Sequence, residues 1–111
     1  MSVNEALRSA RLVRKNFEVP LVFRGTGPLL IGRDERLVTL VINDAFISRT
    51  HAAIVQEDED FYVQDLNSKN GTFLNGERLP PGERSMQPLK HGDRIRFNTV
   101  EFEFIIPEES V

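Results

Sequence analysis

Apolar and polar residues alternate along much of the chain after residue 16. The alternation is clearest near the end, where Val100, Phe102, Phe104 and Ile106 take one face and Thr99, Glu101 and Glu103 take the other. That period of two marks a strand packed on one side. Ile95 and Phe97 alternate with Arg94 and Arg96, Phe61 and Val63 with Tyr62 and Gln64, and Val19, Leu21 and Phe23 with Pro20 and Val22. Leu29–Gly32, Val38–Ile42 and Ala52–Gln56 are further strand candidates, and the first strand is expected near Ala10–Lys15. Gly25, Gly27 and Pro28, Asn67 to Gly71, Asn75-Gly76, Pro80 to Gly82, Gly92 and Pro107 punctuate the pieces. These breaks leave no room for a helix longer than about two turns. Many short strands at nearly regular spacing predict an all-β domain, a sandwich or a barrel. Residues 1–8 are expected to form an arm, with a turn of helix or a loose segment over Ser2–Ala10; residues 9–106 form the domain and 107–111 a frayed tail.

Length and composition narrow the picture. A chain of 111 residues holds one core, and 40% hydrophobic with 28% charged residues is ordinary for a folded globular protein. Fourteen basic and seventeen acidic side chains give a net charge of −3. The first sixteen residues carry Arg8, Arg11, Arg14 and Lys15 against Glu5, for +3, so the remainder carries −6. No global basic field exists to hold a nucleic-acid backbone, and any basic site after residue 16 must be assembled locally. The absence of cysteine removes thiol catalysis, thiolate metal sites and disulfides, and fits a reducing compartment. Apolar runs such as Leu37–Ile42 are far shorter than the ~20 residues of a membrane helix, and arginines interrupt any secretory core near the start. A cytoplasmic protein is expected. Four adjacent carboxylates, Glu57 to Asp60, read as a solvated hairpin tip, because consecutive residues cannot all converge on one ion.

The residues with most chemical character fall at strand ends and turns, where loops on a rigid scaffold carry function. Gly32-Arg33 follows the apolar Leu29 to Ile31. Ser48-Arg49-Thr50-His51 precedes Ala52–Val55. Asn67-Ser68-Lys69-Asn70-Gly71-Thr72 is followed by Asn75-Gly76. Arginine at 33 offers a planar fork of donors for two phosphate oxygens, the alternative being an ion pair with Asp34 or Glu35. Ser48 supplies a short hydroxyl donor or a turn residue. Asn70 carries a carboxamide that can both donate to and accept from an extended peptide backbone, or a turn residue before Gly71. Gly71 suits a positive φ or a close approach, and Asn75-Gly76 a hairpin turn. A catalytic Ser48–His51 pair lacks an orienting acid and a G-x-S-x-G elbow, and their spacing separates the side chains unless the chain bends. His91 reads as a turn residue, and two histidines without cysteine make no zinc site.

Taken together, Gly32-Arg33, Ile47-Ser48-Arg49-Thr50-His51-Ala52, Asp65-Leu66-Asn67-Ser68-Lys69-Asn70-Gly71-Thr72 and Leu89-Lys90-His91-Gly92-Asp93 resemble the forkhead-associated (FHA) domain over roughly residues 9–106. The resemblance implies an antiparallel β-sandwich of about 11 short strands with phosphothreonine-binding loops at one end. By the same resemblance Arg33 and Ser48 meet the phosphate, Arg49 and Lys69 lie beside the phosphopeptide, and Asn70 holds its main chain. Gly32, His51, Gly71, Asn75 and Gly76 are expected to support the binding loops. The implied partner is a threonine-phosphorylated protein or an autophosphorylated Ser/Thr kinase; no cofactor, metal, nucleic acid, membrane or catalysis is expected. The rival readings are a degenerate member of the fold that assembles without phosphate, and an oligonucleotide-binding barrel, which nine aromatic residues and a negative net charge disfavour.

Overall fold

The computed structural model describes residues 10–23, 25, 27–82 and 86–107. The arm expected before Ala10 and the tail expected after Pro107 lie outside these residues. Among the described residues eleven strands run β1 (Ala10–Arg14), β2 (Phe17–Leu21), β3 (Leu29–Gly32), β4 (Leu40–Val41), β5 (Ala52–Glu57), β6 (Asp60–Asp65), β7 (Thr72–Leu74), β8 (Glu77–Arg78), β9 (Gln87–Leu89), β10 (Arg94–Phe97) and β11 (Val100–Ile105). They form two sheets, ordered β2-β1-β11-β10-β7-β8 and β4-β3-β5-β6-β9. No helix occurs among the described residues. The all-β sandwich expected from the alternation is therefore the architecture found. One strand pairing departs from the antiparallel rule: β4 runs parallel to β3.

Strands β10 and β11 bury the faces their sequences predict, whereas β6 also buries Gln64, expected on its other face. Phe102 and Phe104 are buried while Glu101 and Glu103 point to solvent, and Phe61 and Val63 are buried beside a half-buried Tyr62. Phe61 of one sheet meets Phe104 of the other edge to face, with ring centroids 5.4 Å apart. Phe23 tilts against Phe61 at 6.0 Å. Such ring pairs add to the burial of large apolar surfaces that holds two sheets together. Tight hairpins join neighbours where the chain turns left-handed at Lys15, Asp58, Asn75 and Asn98, with φ between 51° and 59°. These values suit the two-residue turns whose twist matches the flanking strands. Asp58 turns Glu57 onto Asp60, so the four-carboxylate run is an exposed hairpin tip, as its self-repulsion requires.

Strands β3, β5 and β6 are neighbours in the centre of one sheet. Ile31 pairs with Ala52, and Ala52 with Asp65. The loops leaving Gly32, entering Ala52 and leaving Asp65 consequently emerge side by side at one end of the sandwich. The β10–β11 turn joins them, since the Asn98 N–H donates to the Gly71 carbonyl at 3.1 Å.

Candidate functional site

The three loops are tied together by backbone and side-chain bonds. The β3–β5 ladder continues past the strands: the Arg33 N–H donates to the Ser48 carbonyl at 3.0 Å and the Asp34 N–H to the Arg49 carbonyl at 3.3 Å. Gly32 makes this closeness possible. A Cβ there would stand well inside contact distance of the Arg49 oxygen, 2.7 Å from its carbonyl carbon and 3.0 Å from the Ser48 oxygen.

His51 is fully buried and bridges two loops. The Ser48 N–H donates to its Nδ1 at 3.0 Å, and Nε2 lies 2.9 Å from the Gly71 carbonyl. Since Nδ1 accepts, the proton sits on Nε2, which donates to Gly71. The bend at 48–51 turns the imidazole back toward Ser48 through the latter's backbone, not its hydroxyl. Burial pushes the imidazole below its ordinary pKa; the Gly71 bond and the charge of Asp65 oppose this. The ring packs edge-on against Phe97 at 5.7 Å, which anchors the loops to the core.

A second brace went unread in the sequence. Asp65 is only 2% exposed. It accepts from the Ser68 N–H at 3.1 Å, the Ser68 hydroxyl at 2.5 Å and the buried Thr72 hydroxyl at 2.7 Å. Ser68 Oγ in turn accepts from the Gly71 N–H at 3.0 Å. This network shapes the 66–71 loop so that Lys69 and Asn70 face the loop before β5. The signal available in sequence was the short hydroxyl spacing after Asp65, which a turn also explains.

Arg33, Ser48, Lys69 and Asn70 line one open depression of about 300 Å³ with Ala45, Phe46 and Ile47. The Arg33 Nε donates to the Ile47 carbonyl at 3.0 Å, which fixes the guanidinium and leaves its two terminal nitrogens without a partner among the described residues. The anticipated alternative partner, Asp34, is taken by Arg36 instead, at 3.1 and 2.9 Å. Ser48 Oγ accepts from the Lys69 N–H at 3.0 Å, so its own hydrogen is free to donate elsewhere. Asn70 Nδ2 donates to the Phe46 carbonyl at 2.8 Å, which leaves its Oδ1 available as an acceptor. Phe46 exposes 66% of its surface at the rim.

Arg49 does not line this depression. It lines an adjoining one of about 350 Å³ with Arg33, Asp34, Glu35 and Arg36. Asn75 and Gly76 sit at the other end of β7, where Asn75 accepts from the Arg94 N–H at 2.9 Å and donates to Asp93 at 3.1 Å. They close the β7–β8 hairpin there. A further depression of about 340 Å³ lies between β1 and β11, where Arg14, Lys15 and Arg94 are answered by Glu101 and Glu103. No cluster of histidine and carboxylates able to hold a metal occurs among the described residues, and no helix long and apolar enough to cross a membrane occurs among them.

Comparison with known proteins gives consistent matches. The sequence profile of the FHA domain matches residues 29–98. The probable E3 ubiquitin-protein ligase dma1 of Schizosaccharomyces pombe is 39% identical over 67 residues, which cover 55% of this chain and 25% of that protein. The transcriptional regulatory protein EmbR of Mycobacterium tuberculosis is 39% identical over 67 residues, 60% of this chain and 16% of EmbR. Its structure in complex with a low affinity phosphopeptide aligns with a TM-score of 0.76 at 29% identity, over 93% of this chain and 26% of that one. The MEK1 FHA domain in complex with a HOP1 phosphothreonine peptide aligns with a TM-score of 0.72 at 31% identity, over 89% and 97% of the two chains. The matched segments thus span a quarter or less of those curated relatives, and nearly all of the isolated domain.

Proposed function

Because this chain belongs to the FHA-domain family, we propose that it is a noncatalytic module that docks a phosphothreonine-containing segment of another protein, or of an autophosphorylated Ser/Thr kinase. The observation that carries this reading is the convergence of unspent donors on one open depression: the terminal nitrogens of Arg33 and the hydroxyl hydrogen of Ser48. A phosphoryl group brings about −1.5 to −2 charges and three strong acceptors, so it fits donors that the protein leaves unpaired. Arg33 would hold two of its oxygens through a fork that the Ile47 carbonyl already orients, which lowers the entropy lost on binding. Ser48 would hold a third oxygen. Lys69 adds positive potential from the opposite loop, and Arg49 adds it from the adjoining depression.

Asn70 serves the peptide backbone in this reading. Its Oδ1 accepts from a main-chain N–H while Nδ2 stays on Phe46, so the peptide is gripped without its side chains being read. Gly32, His51 and Gly71 hold the loops at the separation this requires. We place the domain over residues 9–106 and its work in the cytoplasm, with neither nucleic acid nor membrane as partner. The net charge of −3 supports this choice.

The test is calorimetric titration with a phosphothreonine peptide library of degenerate flanks, the same library unphosphorylated, and a phosphatase-treated sample. Saturable binding by the phosphorylated library alone is expected. Equal binding by both libraries would favour a phosphate-independent assembly surface and refute the reading.

A further inference from the structure

The phosphate-facing depression has a neighbour, and the two share Arg33. One is lined by Arg33, Ser48, Lys69 and Asn70 among others, the second by Arg33, Asp34, Glu35, Arg36 and Arg49. Resting on the phosphothreonine reading above, we propose that the second depression receives another anionic side chain of the same bound peptide, a carboxylate or a second phosphoryl group, close in sequence to the phosphothreonine.

The charges in this depression are unequal in availability. Asp34 is neutralised from within: Arg36 donates to it from Nε at 3.1 Å, from a terminal nitrogen at 2.9 Å and from its backbone N–H at 2.9 Å. These bonds hold the Asp34 carboxyl down at about 2, so it is ionised and matched at any ordinary pH. The Asp34 side chain exposes 9% of its surface and Arg36 79%, so the pair presents a guanidinium to an incoming ligand. Arg49 forms no ion pair among the described residues. Glu35 is the one carboxylate left against Arg33, Arg36 and Arg49 in the lining.

Backbone bonds fix the spacing. Arg33 and Arg49 belong to segments zipped together by the Arg33–Ser48 and Asp34–Arg49 bonds at 3.0 and 3.3 Å, so neither arginine can drift from the other at its backbone. An extended peptide advances about 3.3 Å per residue. Because both depressions share one guanidinium, an anion about two residues from the phosphothreonine reaches the second while the phosphate occupies the first. Contact at that range is shorter than the ~8 Å screening length at physiological salt, so it survives where general attraction does not.

The experiment uses an alanine-flanked phosphothreonine peptide with a fluorescent label, titrated at physiological salt. It is compared with peptides carrying Asp, or a second phosphothreonine, two residues before or two residues after. An anion on one of the two sides is expected to tighten binding by about fivefold or more, the size of a favourable local charge contact. A gain with Asp alone assigns the depression to carboxylates, and a gain with the phosphoryl peptide alone assigns it to a second phosphorylated residue. The ratio between the two-anion and one-anion peptides should fall to near one in Arg49→Gln and should shrink in Arg36→Gln, which unmasks Asp34. It should persist in Lys69→Gln. Binding of the one-anion peptide with a ratio near one on both sides overturns the second subsite alone, as does a ratio that survives Arg49→Gln. No binding by any phosphopeptide overturns the phosphothreonine reading and the subsite with it.

Discussion

Gly32 is the position where the fold leaves least room, and Gly32→Ala measures how much the site depends on that closeness. The new Cβ would meet the Arg49 carbonyl group, 2.7 Å from its carbon, and the Ser48 oxygen at 3.0 Å. These are backbone atoms, so no side chain can rotate away and the Ser48–Arg49 segment itself must move. Overpacking of this kind costs about 1–3 kcal/mol. The shift also strains the ladder bonds from Arg33 and Asp34 to that segment, at 3.0 and 3.3 Å; losing one adds about 1 kcal/mol. A total near 3 kcal/mol is a large share of the 5–15 kcal/mol typical of a domain, and corresponds to a fall of roughly 12 °C in Tm. Phosphopeptide affinity should fall as well, because Arg33 and Ser48 flank the displaced contact and a site tolerates only about 0.5 Å of error. Urea and thermal unfolding followed by circular dichroism give the stability, with Gly27→Ala as the control. Gly27 has nothing within 4 Å of a built Cβ and no positive φ, so alanine there should be neutral or stabilising by up to about 1 kcal/mol. Equal stability of the two variants would refute the close-approach argument.

Arg33→Ala should cost about 2 kcal/mol or more of phosphopeptide affinity in calorimetry and, through the lost bond to the Ile47 carbonyl, about 1 kcal/mol of stability, and Arg33→Lys should recover part of the affinity, because lysine keeps the charge and loses the fork. A phosphothreonine peptide should bind roughly five- to thirtyfold tighter than its phosphoserine twin, from one buried methyl and a stiffer χ1, and salt should leave that ratio unchanged; equal affinities would reduce the site to a general phosphate clamp. Because burial depresses the His51 pKa from 6.5, the unfolded chain binds the proton first as pH falls. Stability is therefore full above about 6.5 and declines as pH drops toward the folded value. The urea midpoint should fall between pH 7.5 and 5.5 more steeply in the native chain than in His51→Gln. Asp65→Asn removes a buried charged acceptor shared by Ser68 and Thr72 and should cost about 2 kcal/mol or more. Hydrogen exchange should then accelerate at the Gly71 amide, and unchanged protection there would show that the network does not hold the loop.

How much of this was legible before folding is considered depends on which forces act locally. Strands β10 and β11 could be read because each has one buried face and one more exposed, and burial sorts residues one at a time with a period of two. The sandwich followed from that pattern and from the turn residues. Strands β7, β8 and β9 have three, two and three residues, too few to show a period; they are strands because neighbours offer them ladder partners. The expected Val38–Ile42 strand shrinks to Leu40–Val41 because the N–H groups of Leu37 and Val38 turn back onto the Asp34 carbonyl at 2.9 and 3.1 Å. In the site, the chemistry of Arg33, Ser48 and Asn70 marked them in the sequence. Arg36 takes Asp34, and Asp65 braces the 66–71 loop, through contacts no more than seven residues apart; tertiary structure decided that Arg33 turns onto the Ile47 carbonyl and that Asn75-Gly76 closes the hairpin at the other end of β7. It also gave Gly32 its role, through backbone seventeen residues further along the chain. Asn70 reaches the Phe46 carbonyl across a sequence separation of 24. Such bonds depend on which loops the strand order brings together, and a pattern of buried and exposed positions specifies faces without specifying neighbours.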